Sequence, residues 1–323
     1  MYKPLNYKFL LSWRFYFYQY IVMPKILNST IVLAIIACLL WASAFTGVKI
    51  GLRYSTPLQF AGIRFFLSGL IILPFTKTVF KDYIKSIKES WKLVALVSLF
   101  QTFVQYALFY KGIELVPGAL AAIVIGSTPV FIAIIAHYTM PNDKMSLKKA
   151  SVILVGLSGV VLVSLSKGNI VYDKSFILVG ILLLVLCNIN SGFVNVLIAK
   201  DKSKISPLVL SSSSMIIGGL MLFCLSVPVE GFSFKSYPLE YYGALAWLSL
   251  LSAIAISIWM VLLKRDNIKV SDLNLWKFII PVFGAILSWV VLPNESPDFL
   301  SISGMIITAC SLIILNLFNR KKI

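Results

Sequence analysis

The chain is short of charge. Only 13% of its 323 residues are Asp, Glu, Lys or Arg, against 59% that are hydrophobic. A soluble domain carries about 25% charged and roughly 45–50% apolar residues, so a water-soluble globule is excluded. Acidic groups are scarcest, with 12 carboxylates against 29 basic residues and a net charge of +17. A single histidine excludes a zinc site of the usual His/Cys spacing, and no metal is expected. Four cysteines make no disulfide framework, and Cys38, Cys187 and Cys310 sit inside apolar runs. Also missing is a glycine-rich loop ending in Lys-Ser/Thr, so ATP is not expected to drive the protein and no cofactor is implied.

What the chain does have is length of apolar sequence. A run of about 20 apolar residues crosses the hydrocarbon core as a helix. Ten such runs are present, at 29–51, 57–76, 92–112, 116–137, 148–166, 175–199, 207–227, 241–263, 273–293 and 299–318. The expected fold is therefore an all-α polytopic membrane protein with ten transmembrane helices. Very short connections, such as Leu52–Thr56 and Ile113–Leu115, force neighbouring helices to lie antiparallel.

Basic residues orient it. With the N-terminus inside, the inner segments hold 21 of the 29 Lys and Arg residues, and the outer loops hold Arg53, Lys167, Lys174 and Lys235. The bias of Lys and Arg toward cytoplasmic loops then predicts a multi-pass cell-membrane protein with both termini cytoplasmic. The +17 is topology, and neither it nor any motif points to nucleic acid. The tail 1–28 is basic and aromatic without a signal-peptide core. It fits either an interfacial helix or an extension ahead of a start at Met23, and the segment before Met23 is expected to be dispensable.

An internal repeat is visible. Pro57-Leu58 answers Pro207-Leu208, Pro129-Val130-Phe131 answers Pro281-Val282-Phe283, and Gly156 answers Gly304, at offsets of 150, 152 and 148. The chain thus divides into a tail (1–28), a five-helix repeat (29–166), an outside linker (167–174), a second repeat (175–318) and a basic cytoplasmic tail (319–323). Five is odd, so the second copy enters the membrane from the opposite side. Inverted repeats that meet at a pseudo-two-fold axis are a transporter architecture.

Three segments resemble the EamA-type branch of the drug/metabolite transporter superfamily: Leu40-Trp41-Ala42-Ser43-Ala44-Phe45 through Tyr54, Pro57 through Phe65, and Ser127-Thr128-Pro129-Val130-Phe131. The resemblance covers about 29–318. It implies two inverted five-helix repeats, with helices one, three, four, six, eight and nine around a central cavity. Ser211–Ser214 departs from it, standing where Ala61–Arg64 stands in the first half.

Four cations fall within spans: Lys49, Arg64, Lys111 and Lys277; no carboxylate does. Buried carboxylates are the usual proton and sodium handles of coupled transporters, and general acid/base chemistry needs them too. No enzyme activity is expected. Lys49 and Lys111, near helix ends, can snorkel to the headgroups. Lys277 either snorkels or faces the cavity as an anion anchor. Arg64 lies about 10 Å below its helix end at 1.5 Å per residue, and reads as a structural lock on freed backbone carbonyls. Polar residues share helix faces: Gln101 and Gln105 beside Tyr106 in helix three; Asn188, Ser191 and Asn195 in helix six; Ser252 and Trp259 in helix eight. Together with Trp41 of helix one and Lys277 they are the candidate cavity residues, and Pro129 and Pro281 the candidate hinges.

The leading expectation is a secondary transporter, exporter or facilitator, of small neutral or zwitterionic metabolites such as apolar amino acids, working by alternating access. The alternative is an organic-anion or sugar-phosphate exchanger using Lys277 and Arg64. A non-transporting receptor or enzyme is the outside reading. Its partners are the small solute and the lipid bilayer. The absence of carboxylates from the spans leads us to expect facilitated diffusion or exchange.

Overall fold

A computed structural model describes residues 29–116, 118–165, 174–231, 236–266, 268–291 and 297–320. The tail 1–28, nearly all of the linker 167–174 and residues 321–323 lie outside the described residues. All described secondary structure is helical. In chain order the principal helices are α1 (Thr30–Gly51), α2 (Pro57–Thr76), α3 (Trp91–Leu115), α4 (Gly118–Gly126 and Thr128–Thr139) and α5 (Leu147–Leu165). The second half follows with α6 (Lys174–Lys200), α7 (Pro207–Glu230), α8 (Leu239–Leu263), α9 (Val270–Leu275, Trp276–Phe278 and Ile279–Val291) and α10 (Phe299–Arg320). Among the described residues, eight helices, α2 to α9, are long and apolar enough to cross a membrane. Shorter apolar stretches, Thr30–Ala44 and Phe299–Ile314, begin α1 and α10.

Local sequence explains where helices start and bend. Pro57 and Pro207 open α2 and α7 at the first helical position, where a missing N–H costs no bond. Ser98–Val104 of α3 winds as a π-helix, a departure from the even 3.6-residue period expected for that span. One further helix, Phe80–Glu89, falls in what reads from sequence as an inner loop. Its Tyr83 is buried and donates to Ser212 Oγ at 3.2 Å.

The helices pair in a pattern that repeats itself. The main partners are α2–α7, α5–α10, α1–α8, α3–α6, α1–α9, α4–α6, α2–α8 and α3–α7. Moving every helix five places along, with α6–α10 returning to α1–α5, turns this set into itself: α1–α8 becomes α6–α3, and α1–α9 becomes α6–α4. The two pairs that map onto themselves are crossings of small residues. A Cβ added to Gly62 of α2 would stand 2.6 Å from the backbone N of Phe223, and one on Gly219 of α7 would stand 2.5 Å from that of Phe66. In α5–α10, Gly159 and Gly304 each face the other's carbonyl oxygen just as closely, at 2.6 and 2.5 Å. Such contact lets backbones approach where lipid supplies no hydrophobic drive between helices.

The perimeter is apolar. Leu154, Leu178, Leu182, Ile306 and Ile313 are all exposed, which in water would promote aggregation and in a bilayer meets acyl chains. The serine run of α7 is turned inward instead: Ser211 to Ser214 are all buried, with Ser212 bonded to Gly69 O at 2.8 Å and Ser211 paired with Ser257 at 3.0 Å. The whole describes a multi-pass membrane protein. One end of the bundle, the basic face, carries the loops with Lys144, Lys202 and Arg265, joined by Lys200 on Thr139 O and Lys264 on Asp201; the other carries Tyr54, Glu230 and Tyr237.

Candidate functional site

The site starts from two interrupted helices. Pro129 has no N–H for the carbonyl of Ile125, and α4 breaks at Ser127. Each freed carbonyl is taken up by a side chain, as a low-dielectric setting demands. Thr128 Oγ1 donates to Ile125 O at 2.5 Å; Ser127 Oγ and Asn188 Nδ2 both donate to Val124 O at 2.6 Å. The Thr128 hydroxyl also lies 2.6 Å from Asn188 Oδ1, so its one proton is shared between the two oxygens. Asn188, fully buried, is thus engaged in holding the break of α4 to α6. In α9 Pro281 likewise has no N–H for the carbonyl of Lys277, and a 3-10 turn, Trp276–Phe278, lies just before it, with the Ile279 N–H directed at the carbonyls of Trp276 and Lys277.

That turn puts Lys277 at the centre. Its Nζ stands 4.8 Å from the ring centre of Trp259 and 5.6 Å from that of Trp41. The two rings lie 5.0 Å apart and tilted by 59°. Cys38 and Cys187, both buried, lie within electrostatic reach of the ammonium. Among the described residues no carboxylate pairs with it. Two ring faces attract a cation by about 0.5–2 kcal/mol each, so the ammonium is held in place but keeps its donors.

The platform under it is fixed from both sides. Trp259 Nε1 donates to Asn195 Oδ1 at 2.9 Å, and Asn274 Nδ2 donates to the same oxygen at 3.2 Å. Asn195 in turn donates to Ser191 O at 2.7 Å. Trp41, Asn195, Trp259 and Lys277, drawn from α1, α6, α8 and α9, therefore form one constellation. Asn274, buried and next to them, is not among the residues expected from sequence. Its place three residues before Lys277 is the signal that could have found it.

The other expected residues sit apart. Gln105 donates to Cys187 Sγ at 2.9 Å and accepts from Asn190 Nδ2 at 2.7 Å, while Asn190 also donates to Phe100 O; together they fasten α3 to α6. Gln101 is half-buried within the π-helical stretch. Arg64 forms a second cluster. Its Nε and one terminal nitrogen donate to Ser252 Oγ at 3.0 and 2.8 Å, the other to Tyr110 Oη at 3.2 Å. Its guanidinium lies 4.7 Å from the Phe65 ring, which stacks 4.0 Å from Tyr106. The sequence leads one to expect Arg64 on freed carbonyls; it bonds hydroxyls of α3 and α8 instead, because α2 is unbroken around it.

Two further expectations need correcting at the ends. Lys111 does not snorkel: it pairs with Glu114 at 3.0 Å and Glu230 at 3.4 Å, and Glu230 also accepts from the backbone N–H groups of Leu58 and Gln59 at the start of α2. Carboxylates are confined to loops and helix ends, yet Asp143 is 1% exposed, since Lys149 and Ser271 close over it. At the same basic face Lys264 pairs with Asp201 at 2.8 Å. Burial disfavours the charge on Asp201, but hydrogen bonds from Lys264 and Ser203 outweigh it and hold the carboxyl below the usual range.

Comparison with known proteins agrees with this architecture. A solved crystal structure superimposes with a TM-score of 0.73 over 91% of this chain and 98% of its own, at 16% identity, which establishes likeness of fold. An uncharacterized transporter of Archaeoglobus fulgidus is 26% identical over 87% of this chain and 95% of its own length. The uncharacterized transporter YoaV of Bacillus subtilis is 23% identical over 88% and 96%. The model of the EamA-like transporter family matches twice, at residues 28–165 and 178–317, nearly the full length. The chain belongs to the EamA-like transporter family.

Proposed function

We propose that the protein is a secondary transporter of small amphipathic metabolites that carry a carboxylate, with zwitterionic apolar amino acids as the leading class. On this reading ten helices span the membrane as two inverted five-helix repeats, both termini are cytoplasmic, and the two halves close alternately over the Lys277 constellation. The self-mapping helix pairs, the paired family matches and the 21-to-4 distribution of basic residues support that frame.

One observation carries the choice of solute. The ammonium of Lys277 sits between Trp41 and Trp259 and meets no carboxylate of the protein among the described residues. A solute carboxylate completes it through a charge-assisted bond, while the two indoles take an apolar side chain. A second reading, organic-anion exchange, draws on the same fact, because among the described residues no acidic group stands near Lys277 to hold an amino group. Arg64 is not counted in that anion site, since each of its three nitrogens already donates to Ser252 or Tyr110 and it belongs to a separate cluster.

The test is solute-induced thermal stabilisation of the purified protein by leucine, 4-methylpentanoate and 3-methylbutylamine. Stabilisation by leucine alone supports the zwitterion reading. Equal stabilisation by leucine and the carboxylate favours the anion reading. Stabilisation by the amine, or persistence of the effect in Lys277→Gln, contradicts both.

A further inference from the structure

The first segment of α9 connects the basic face to the centre. At its start Lys149 of α5 reaches across: its Nζ lies 2.7 Å from Asp143, 2.7 Å from Asp272 and 2.6 Å from Ser271 Oγ. Ser271 also donates its backbone N–H to Asp143 at 2.8 Å and its hydroxyl to the same carboxylate. One turn on, Asn274 holds Asn195 and through it the Trp259 ring. Another turn on stands Lys277. Residues spaced by three and four share a helix face, so one lever carries the clasp, the platform support and the cation. Lys277 itself lies in the 3-10 turn Trp276–Phe278, and Pro281 just beyond it lacks the N–H that would tie this segment to the rest of α9, which weakens the helix where a lever would swing.

Burial along α4 and α9 shows which end is shut. In their basic-face halves Thr128, Pro129, Ile132, Ala133 and Ala136 are buried, as are Val270, Ser271, Leu273, Asn274 and Leu275. In the opposite halves most residues are half-buried, Leu120 and 122–127 of α4 and Ile279 to Gly284 of α9, with only the small Ala121 and Ala285 buried among those described there. The two helices pack on each other through the basic-face halves, Thr128–Thr139 against Val270–Leu275.

We propose that residues 270–278 are the gate of the basic face and that Lys149 is its latch. Opening breaks the bonds of Ser271 to Asp143 and Lys149 and the Lys149–Asp272 ion pair, pulls Asn274 off Asn195, and carries Lys277 away from the indoles. Release of solute toward that face and loss of its binding platform are then a single motion. The inference rests on the transport reading for its purpose, but the clasp can be tested without a solute.

The reporter is native. With Cys224→Ser and Cys310→Ser, the remaining Cys38 and Cys187 are buried beside Lys277. In proteoliposomes, the membrane-impermeant thiol reagent methanethiosulfonate ethylsulfonate is applied from the basic face. Removing one member of a buried charge cluster leaves the rest uncompensated, so Lys149→Gln speeds modification by at least about tenfold. Lys149→Arg, which keeps the cation, stays within about threefold of the parent. A monodisperse Lys149→Gln protein labelled at the parental rate overturns the latch. Should Lys149→Gln fail to fold, the decision passes to a Lys149→Cys/Asp272→Cys pair in a background freed of native cysteines, bridged by a short bis-methanethiosulfonate. The bridge arrests solute counterflow and a reductant restores it; counterflow through the bridged protein, or a pair that does not bridge, overturns the proposal. If parent and unbridged pair both carry no solute, the transport reading fails, and the latch is decided with Cys38 and Cys187 restored to the pair: the bridge should slow their modification from the basic face, and an unchanged rate overturns it.

Discussion

The ammonium of Lys277 stands 4.8 Å above the ring of Trp259, whose indole N–H is in turn held by Asn195 at 2.9 Å. A cation seated on aromatic faces without a carboxylate is a poor device for stability and a good one for binding an anion. Burying an uncompensated charge costs several kcal/mol, so the site is expected to lower stability in order to function.

The first prediction separates these effects. Lys277→Met removes the buried charge and keeps the volume, so the solute-free protein melts at a higher temperature than the parent. Solute affinity falls by roughly 10- to 100-fold, as one charge-assisted bond is lost. Thermal unfolding with and without solute measures both; a variant that melts lower contradicts the reading of Lys277 as unpaired.

Arg64 behaves in the opposite way. Arg64→Ala leaves the hydroxyls of Ser252 and Tyr110 without their partner, at about 1–3 kcal/mol each. Folded yield and melting temperature should drop, with solute preference unchanged in what folds. Arg64→Lys recovers only part of the loss, because an ammonium cannot reproduce the forked bond. A well-folded Arg64→Ala protein with a new solute preference would move Arg64 into the binding site.

Two glycines test the crossing of α2 and α7. Gly62→Ala forces a methyl to 2.6 Å from the Phe223 backbone, and overpacking of this kind costs about 1–3 kcal/mol. A methyl added at Gly243 of α8 would have nothing within 4 Å, so Gly243→Ala is neutral or gains up to about 1 kcal/mol of helix propensity. Size-exclusion profiles and melting curves of the two variants should diverge; equal behaviour contradicts the crossing.

Much of this is legible in the residues, and the reasons for the rest are physical. Pro57, Pro207, Pro129 and Pro281 announce helix starts and breaks because a missing N–H acts locally. The face of Asn188, Ser191 and Asn195 is likewise readable from helical period, though their duties differ: Asn188 clamps α4 and Asn195 supports Trp259. The π-helical stretch at Ser98–Val104 is not legible, since such a stretch depends on what packs around it. Asp143 and Lys149 look like ordinary loop charges in the sequence because their burial depends on Ser271, 128 residues from Asp143. Lys111 looks like a snorkelling lysine for the same reason, its partner Glu230 being distant in the chain.

The orientation drawn from basic residues has its own test. With native cysteines removed, a cysteine at Ser236 should react with an impermeant maleimide in intact cells, and one at Lys321 only after the membrane is opened. The reverse pattern contradicts cytoplasmic termini.

Solute counterflow in proteoliposomes is the most direct measurement. Vesicles loaded with unlabelled leucine, or with 4-methylpentanoate should the binding test favour it, are diluted into the labelled solute without a pH or sodium gradient. Uptake should overshoot equilibrium in parent vesicles, proceed at the same initial rate when either gradient is imposed, and vanish in Lys277→Gln. Labelled solute that enters no faster than into protein-free vesicles would contradict transport, and uphill accumulation driven by a proton or sodium gradient would contradict facilitated exchange.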